Sequence, residues 1–197
     1  MPDALTEQET QHIDIEGEAK LKVVSLDGHH QGDNAERSSK ITWLYDETTT
    51  HLLEETVYRA NLDAAWLFDI TRSEAVQYTI YENGDEYGFH SDGNQDRYAV
   101  KQLTLEPSNP MPLNQTTNPL LAGLVRKLSV TVNLSSPEDY EGGTLELLFH
   151  NQHHTFIERA PKGSAVIFPS FIHHRITPVT EGIRKSAVMW VNGPPIR

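Results

Sequence analysis

The hydrophobic and polar positions divide the chain into a helical part followed by a series of short strands. Between Asp46 and Phe68, apolar and small side chains recur every three to four residues: Leu52, Leu53, Thr56, Val57, Ala60 and Ala64. This spacing is typical of an amphipathic helix, and Asp46 is a suitable N-cap for it. Nearer the start, residues 14 to 24 alternate weakly between polar and apolar, which predicts a strand or a hairpin.

After Thr71 the pattern changes to alternation with a period of two, which is typical of half-buried strands. Strands are predicted at Ala75–Tyr81 and Tyr87–Asp92, joined by a turn at residues 82 to 85, and at Lys127–Leu134, Thr144–Phe149, Ala165–Phe168, Phe171–Thr177 and Arg184–Val191. Helices followed by seven or eight short strands predict a mainly β fold with flanking α-helices. We expect an antiparallel sandwich or jelly roll with the helices packed on one sheet.

The stretch from Asn94 to Leu124 has a different composition. It is polar and contains four prolines, at positions 107, 110, 112 and 119. Proline fixes the backbone and donates no hydrogen bond, so neither a regular strand nor a long helix fits here. Because the stretch begins two residues after Asp92, we predict a mobile loop that contacts substrate.

Charge and composition exclude several classes of function. The chain has 28 acidic and 16 basic residues and a net charge of −12, which disfavours nucleic acid and anionic membranes as partners. It has no cysteine, so thiol catalysis, disulfides and cysteine-based metal sites are excluded, and any metal must be bound by histidine and carboxylate. The sequence has no apolar run of about 18 residues and begins with a polar, acidic stretch, so we expect a cytoplasmic protein.

The candidate chemistry begins with His90-Ser91-Asp92. In a strand, side chains two residues apart project to the same side, so His90 and Asp92 are expected to point together. Two such ligands and a second histidine form the facial triad of non-heme Fe(II) enzymes that react with O₂. The motif is short and occurs often by chance, so it indicates a metal site only together with a third ligand.

Two adjacent residues can supply that ligand, His173 and His174, and in a strand they point to opposite sides. His174 shares its side with Ile172 and Ile176, and the apolar side should face inward, so His174 is the better candidate. Arg184 follows ten residues later, across a predicted turn. We expect a hairpin to return Arg184 beside His174, where its guanidinium can bind a carboxylate with two hydrogen bonds.

These residues lie within segments that resemble one known family along most of the chain, from about Arg37 to Pro194. The segments read RSSKITWL, ANLDAAWLFDI, QYTIYENGDEYGFHSD, LSVTVNLSSPEDYEGGTLEL, APKGSAVIFPS and HRITPVTEGIRKSAVMWVNGP. They resemble the Fe(II)- and 2-oxoglutarate-dependent dioxygenases, and among them the prolyl-4-hydroxylase-like group. The last segment is the most specific, because its histidine, PVT, glycine and arginine keep the family's order and spacing. The fold that the resemblance implies is a double-stranded β-helix.

The resemblance also implies roles for individual residues. His90, Asp92 and His174 would bind Fe(II), and Arg184 would bind the distal carboxylate of 2-oxoglutarate. Tyr81 would line the co-substrate pocket. O₂ is the second co-substrate, and ascorbate is admitted as an additional reductant. The sequence departs from the family at Asn133, where a tyrosine is common, and in the length of the polar stretch after Asp92.

The implied function is hydroxylation of an unactivated C–H bond, with 2-oxoglutarate converted to succinate and CO₂. The expected substrate is a prolyl residue of a peptide or protein, and the net charge favours a basic partner. The alternatives are a hydroxylase of the same superfamily that acts on a non-prolyl small molecule, and a catalytically silent metal-binding module. Residues 1–36 are expected to form a polar N-terminal extension of one domain that spans residues 37–197. The sequence gives no indication of oligomeric state.

Overall fold

The computed structural model describes residues 1–26, 37–93, 99–100, 115–116, 119–149, 152–156 and 159–195. Within these residues there are two α-helices, α1 (Glu7–Leu26) and α2 (Glu47–Asp63), and a 3-10 turn at Pro119–Leu121. The strands, in chain order, are β1 (Lys40–Leu44), β2 (Arg72–Ser73), β3 (Val76–Tyr81), β4 (Tyr87–His90), β5 (Ala99–Val100), β6 (Gln115–Thr116), β7 (Val125–Asn133), β8 (Tyr140–Gly142), β9 (Leu145–Phe149), β10 (Gln152–Phe156), β11 (Ala165–Pro169), β12 (His173–Ile176), β13 (Val179–Gly182) and β14 (Arg184–Gly193).

Two antiparallel sheets form a sandwich. The larger sheet has the strand order β1-β3-β14-β7-β11, with β2 paired to the far end of β14, and the smaller sheet has the order β10-β9-β12-β4. Strands distant in sequence are neighbours in both sheets, as in a jelly roll. Alternate residues of β3 and β14 point to opposite sides, so one side packs beneath the helices while the other faces the smaller sheet. The predicted mainly β sandwich with helices on one sheet is confirmed.

Helix α1 replaces the strand or hairpin that the sequence predicted for residues 14 to 24. A capping box explains where it begins. Thr6 Oγ1 accepts a hydrogen bond from the Glu9 amide, and Glu9 accepts one from the Thr6 amide at 2.7 Å. The weak alternation of apolar residues was misleading because α1 buries only a narrow stripe, in which Ile13 is completely buried.

Contact with the larger sheet holds α1 in place. The Tyr78 hydroxyl donates a hydrogen bond of 2.5 Å to Asp14 of α1. The Tyr78 ring also lies so close to Gly17 that a Cβ there would overlap the ring atoms. Only glycine allows the helix to approach this closely. The division of the chain at residue 36 stays a prediction.

Helix α2 confirms the prediction of an amphipathic helix capped by Asp46. The Asp46 carboxylate accepts a hydrogen bond of 2.9 Å from the Thr49 amide. Leu53 and Val57, one turn apart, are completely buried against the larger sheet. The helix ends at Asp63, five residues before the predicted limit. No helix among the described residues is both long and apolar enough to cross a membrane.

The predicted strands are present with small shifts of their ends, and two local predictions are wrong. Strand β4 ends at His90, so Asp92 lies beyond the strand rather than in it. Part of the segment between Thr177 and Gly182, expected to be a turn, is strand β13, which pairs with β8. The predicted substrate loop at residues 94 to 124 falls largely outside the described residues, apart from the short parallel pair of β5 with β6 and the 3-10 turn.

Candidate active site

A cavity of about 380 Å³ lies between the inner sides of the two sheets. The smaller sheet contributes His90 and His174, and the larger sheet contributes Tyr81 and Arg184. Asp92, which follows β4, also lines the cavity. All five residues that the sequence singled out are therefore brought together at one place.

His90, Asp92 and His174 form a compact group that can hold a metal ion. The two histidines are direct partners across the antiparallel pair β4–β12. His90 Nε2 lies 3.6 Å from Asp92 Oδ1, and His174 Nε2 lies 3.5 Å from Asp92 Oδ2. Their ligand atoms all lie within 4.8 Å of one another. Two imidazole nitrogens and one carboxylate oxygen are a donor set that suits Fe(II) and leaves coordination positions open.

Backbone carbonyls orient both imidazole rings. His90 Nδ1 lies 2.8 Å from the Gly88 carbonyl oxygen, and His174 Nδ1 lies 3.0 Å from the Ile172 carbonyl oxygen. A carbonyl only accepts, so each Nδ1 carries the proton and donates it. Each Nε2 is then left with a lone pair that a metal ion could bind. Burial lowers the pKa of His174, against the opposing charge of Asp92, and so favours the neutral form that binds metal.

Asp92 is positioned by long-range contacts rather than by strand alternation. Ser129 Oγ donates a hydrogen bond of 2.6 Å to Asp92 Oδ2, and Arg126 Nη1 donates one of 3.1 Å to the Asp92 carbonyl. Burial would raise the pKa of Asp92, but the neighbouring His90 and His174, the charge of Arg126 and the hydrogen bond from Ser129 together outweigh it. The pKa is held well below the usual range for aspartate, so Asp92 is an ionised carboxylate at neutral pH.

The choice between the two adjacent histidines agrees with the predicted orientation. The His174 side chain is buried and faces the cavity, whereas His173 is exposed on the other side of β12. The alternation of inward and outward side chains in β12 accounts for the difference.

Arg184 reaches the cavity by a different route from the predicted hairpin. It begins β14 in the larger sheet, directly opposite Tyr81 of β3, while His174 belongs to the smaller sheet. The two residues face each other across the cavity rather than lying side by side. Gly143 makes room for Arg184, because a Cβ at Gly143 would lie 2.8 Å from Arg184 Cδ.

The surroundings of Arg184 suit a carboxylate that comes from outside the chain. Arg184 is 5% exposed, and no carboxylate of the described residues lies within ion-pair distance of it. Arg184 Nη1 donates a hydrogen bond of 3.5 Å to the Ser186 hydroxyl. A buried guanidinium without a counterion is costly, and the distal carboxylate of 2-oxoglutarate would supply that counterion. The residues present therefore fit the co-substrate as well as the metal.

Tyr81 lies beside Arg184, with the Arg184 guanidinium carbon 5.5 Å from the centre of the Tyr81 ring. Burial raises the pKa of Tyr81, although the charges of Arg37 and Arg184 oppose the effect. The phenol therefore stays protonated at neutral pH and can donate a hydrogen bond into the cavity. Asn133, where the sequence departs from the family, does not line this cavity. Its side-chain amide donates hydrogen bonds to the carbonyls of Ser135 and Ala160.

Sequence reasoning missed several polar residues of the cavity, among them Ser129, Arg126 and Arg37. The pattern of β7 contains a signal for Ser129. This residue is polar, yet it is buried within the strand, between the apolar residues Leu128 and Val130. Arg126 has no such signal. A register shift between β14 and β7 leaves Lys127 without a paired residue in β14 and turns Arg126 onto the side of Ser129.

Comparison with solved structures gives the fold. A viral collagen prolyl hydroxylase from Paramecium Bursaria Chlorella virus-1, solved with 2-oxoglutarate, matches with a TM-score of 0.67 and 16% identity, covering 98% of this chain and 94% of that one. A prolyl hydroxylase from Trichoplax adhaerens, solved with a peptide of a hypoxia-inducible factor, matches with a TM-score of 0.60 and 17% identity, covering 97% and 81%. The fold is therefore the double-stranded β-helix that the resemblance implied.

Comparison with known sequences gives the family. A PKHD-type hydroxylase of Xylella fastidiosa (strain 9a5c) is 33% identical over 111 residues, which cover 56% of this chain and 41% of that protein. The chain thus spans about two fifths of the length of the curated relatives it matches. The sequence model of the 2OG-Fe(II) oxygenase superfamily matches residues 76–192, a segment that contains the whole His-Asp-His group and Arg184. The chain belongs to the 2OG-Fe(II) oxygenase superfamily.

Proposed function

We propose that the protein is a dioxygenase that hydroxylates a prolyl residue of a peptide or protein and converts 2-oxoglutarate to succinate and CO₂. One observation carries the proposal. A half-buried His-Asp-His group and a buried arginine without a carboxylate partner among the described residues face each other across one cavity. The first suits Fe(II), and the second suits the distal carboxylate of the co-substrate.

In this proposal His90, Asp92 and His174 are the metal ligands. Iron bound there supplies the activation of O₂ and the oxidation of the C–H bond. The chain contributes the arrangement of the ligands: the Gly88 and Ile172 carbonyls fix the two rings. Side chains held in place before the metal arrives would need no rearrangement to bind it, and three protein ligands would leave coordination positions open for the co-substrates.

Arg184 and Tyr81 orient the 2-oxoglutarate in this proposal. Arg184 binds the distal carboxylate through its planar guanidinium, and Tyr81 donates from its protonated hydroxyl. Arg184 in β14 and Tyr81 in β3 are paired residues of neighbouring strands in the larger sheet, opposite the metal ligands. A dicarboxylate anchored at Arg184 is thereby directed across the cavity with its other end toward the metal.

The comparisons support a peptide or protein substrate. The curated relatives are named hydroxylases, and both solved structures described above are prolyl hydroxylases. One of them was solved with a bound peptide fragment. The hydroxylase relatives and the likeness of fold to the two prolyl hydroxylases together support a prolyl substrate.

Mass spectrometry after incubation with proline-containing peptides, Fe(II), 2-oxoglutarate and O₂ tests the proposal. We expect one added oxygen on proline, together with succinate, and neither product from an Asp92→Ala variant. Succinate without oxidised peptide would contradict the prolyl substrate and favour a small-molecule hydroxylase. Metal binding without succinate under any condition would contradict enzymatic activity and favour a silent metal-binding module.

A further inference from the structure

Arg37 is a cavity residue that the proposed function leaves without a role. It lies just before β1 and extends over the inner side of the larger sheet. Its Nε donates a hydrogen bond of 2.7 Å to Ser39 Oγ, and its Nη2 donates to Gln77 Oε1 at 3.0 Å and Thr79 Oγ1 at 3.3 Å. These acceptors are neutral, so they fix the plane of the guanidinium without compensating its charge.

Arg37 is close to the metal-binding group. Its guanidinium carbon lies 4.8 Å from the centre of the Tyr87 ring, and the Tyr87 ring stacks on the His90 ring at 3.6 Å with an interplanar angle of 16°. The Arg37 guanidinium carbon therefore lies no more than about 8.4 Å from the centre of the His90 ring. Consecutive Cα atoms are about 3.8 Å apart, so a substrate can reach Arg37 with the residue next to the reacting one.

Among the described residues Arg37, like Arg184, lacks the carboxylate partner that two other arginines of this region have. Arg126, in the same cavity, is paired with Glu74 at 2.6 Å, and Arg175, which also lies over an aromatic ring, is paired with Glu146 at 2.6 Å. No carboxylate of the described residues forms an ion pair with Arg37. Among the residues that the structure describes, this half-buried guanidinium has no compensating carboxylate, so an anion supplied by a ligand would be stabilised there.

We propose that Arg37 binds a carboxylate of the primary substrate, so that the enzyme acts on peptides with an acidic group next to the hydroxylated residue. The inference rests on the proposed function, because Arg184 is assigned to 2-oxoglutarate and Arg37 is thereby left for the substrate. Asp, Glu or a C-terminal carboxylate provides the required chemistry. The local charge of the cavity thus favours an acidic substrate, opposite to the basic partner that the net charge suggested.

Binding of matched peptides without turnover tests the role of Arg37. The protein is loaded with Zn²⁺ and 2-oxoglutarate, and the affinities of Ac-Ala-Pro-Asp-NH₂, Ac-Ala-Pro-Asn-NH₂ and Ac-Ala-Pro-Asn with a free C-terminus are measured by calorimetry. We expect a carboxylate-bearing peptide to bind about tenfold more tightly than the Asn amide, as for a charge-assisted hydrogen bond. Tighter binding of the first peptide would identify a side-chain carboxylate as the group that Arg37 binds. Tighter binding of the third peptide would identify the C-terminal carboxylate.

Variants locate the preference. Arg37→Gln should reduce it to within about twofold, and Arg37→Lys should keep part of it, because the charge remains while the planar fork is lost. Arg175→Gln is the matched control: it removes a guanidinium that stacks on Phe89 outside the cavity, and it should leave the preference unchanged. Circular dichroism checks that every variant is folded.

Equal affinity for the acidic and amide peptides, no measurable binding of any of them, or a preference that survives in Arg37→Gln would overturn the role of Arg37. Because binding is measured without turnover, failure of the proposed activity would be seen separately. It would appear as absent succinate in the iron-loaded protein while the peptide preference is still measured.

Discussion

Replacing Gly143 by alanine tests whether Arg184 anchors the co-substrate while residue 184 itself stays an arginine. Gly143 has a φ of +58°, and its amide donates a hydrogen bond of 3.0 Å to the Pro178 carbonyl, which holds it in place. A Cβ at this position would lie 2.8 Å from Arg184 Cδ and 3.0 Å from Val179 Cγ2. The new methyl group therefore presses directly on the middle of the Arg184 side chain.

The expected effect follows from these distances. Ordinary contact begins at 3.4 Å, so Arg184 Cδ must move by about 0.6 Å, the difference between 3.4 Å and 2.8 Å. A shift of this size misaligns one of the two hydrogen bonds to a carboxylate, and a charged hydrogen bond is worth about 1.5–3 kcal/mol. At about 1.4 kcal/mol for each factor of ten, the KM for 2-oxoglutarate should rise about 10- to 100-fold.

Gly84→Ala is the matched control for Gly143→Ala. Gly84 also has a positive φ, +90°, but a Cβ there would meet nothing within 4 Å. Both variants should lose about 1–2 kcal/mol of stability from the left-handed backbone, measured by urea unfolding. Only Gly143→Ala should raise the KM for 2-oxoglutarate in a succinate assay, with Co²⁺ affinity unchanged. An unchanged KM in folded Gly143→Ala, or an equal rise in Gly84→Ala, would refute the reasoning.

Three further predictions concern single side chains. His174→Ala should weaken Co²⁺ binding, measured by absorbance titration, by at least about 100-fold, and His173→Ala should change it little, because His174 faces the cavity and His173 is exposed; the reverse result would mean that His173 is the ligand. Arg184→Lys should raise the KM for 2-oxoglutarate by about tenfold or more while metal affinity is kept, because lysine lacks the planar fork; an unchanged KM would point to another anchor. Asp46→Ala should lower the free energy of unfolding by about 1 kcal/mol at neutral pH through loss of the helix cap. The Thr49 amide lowers the pKa of Asp46, so the stabilisation is present above the usual aspartate range and lost as the pH falls through the lowered value; a difference from wild type that grows in acid would contradict this.

Local patterns predicted those parts of the fold that local physics determines. The apolar spacing and Asp46 predicted α2, since the cap and the buried stripe both lie within the helix itself. Alternation predicted most strands and the inward orientation of His174. The strand or hairpin predicted for residues 14 to 24 was wrong. Helix α1 forms there instead, because it begins at a capping box of Thr6 with Glu9 and is held by the distant Tyr78.

The candidate site was predicted in its residues but not in its geometry. His90 and Asp92 were expected to project from one strand, yet Asp92 follows the strand and is held by Ser129 and Arg126 from β7. Arg184 was expected beside His174, but the two residues lie on different sheets. Pairing between strands that are distant in sequence decides these positions, and spacing within a single segment carries no information about it.

Incubation with ¹⁸O₂ tests the central claim most directly, because it follows O₂ into the product of the co-substrate. The protein is supplied with Fe(II) and 2-oxoglutarate, and the succinate is analysed by mass spectrometry. The account predicts succinate that carries one ¹⁸O atom from the wild-type protein and no succinate from Asp92→Ala. Absence of labelled succinate from the wild-type protein, or equal formation by Asp92→Ala, would contradict the assignment of this cavity as an iron- and 2-oxoglutarate-dependent active site.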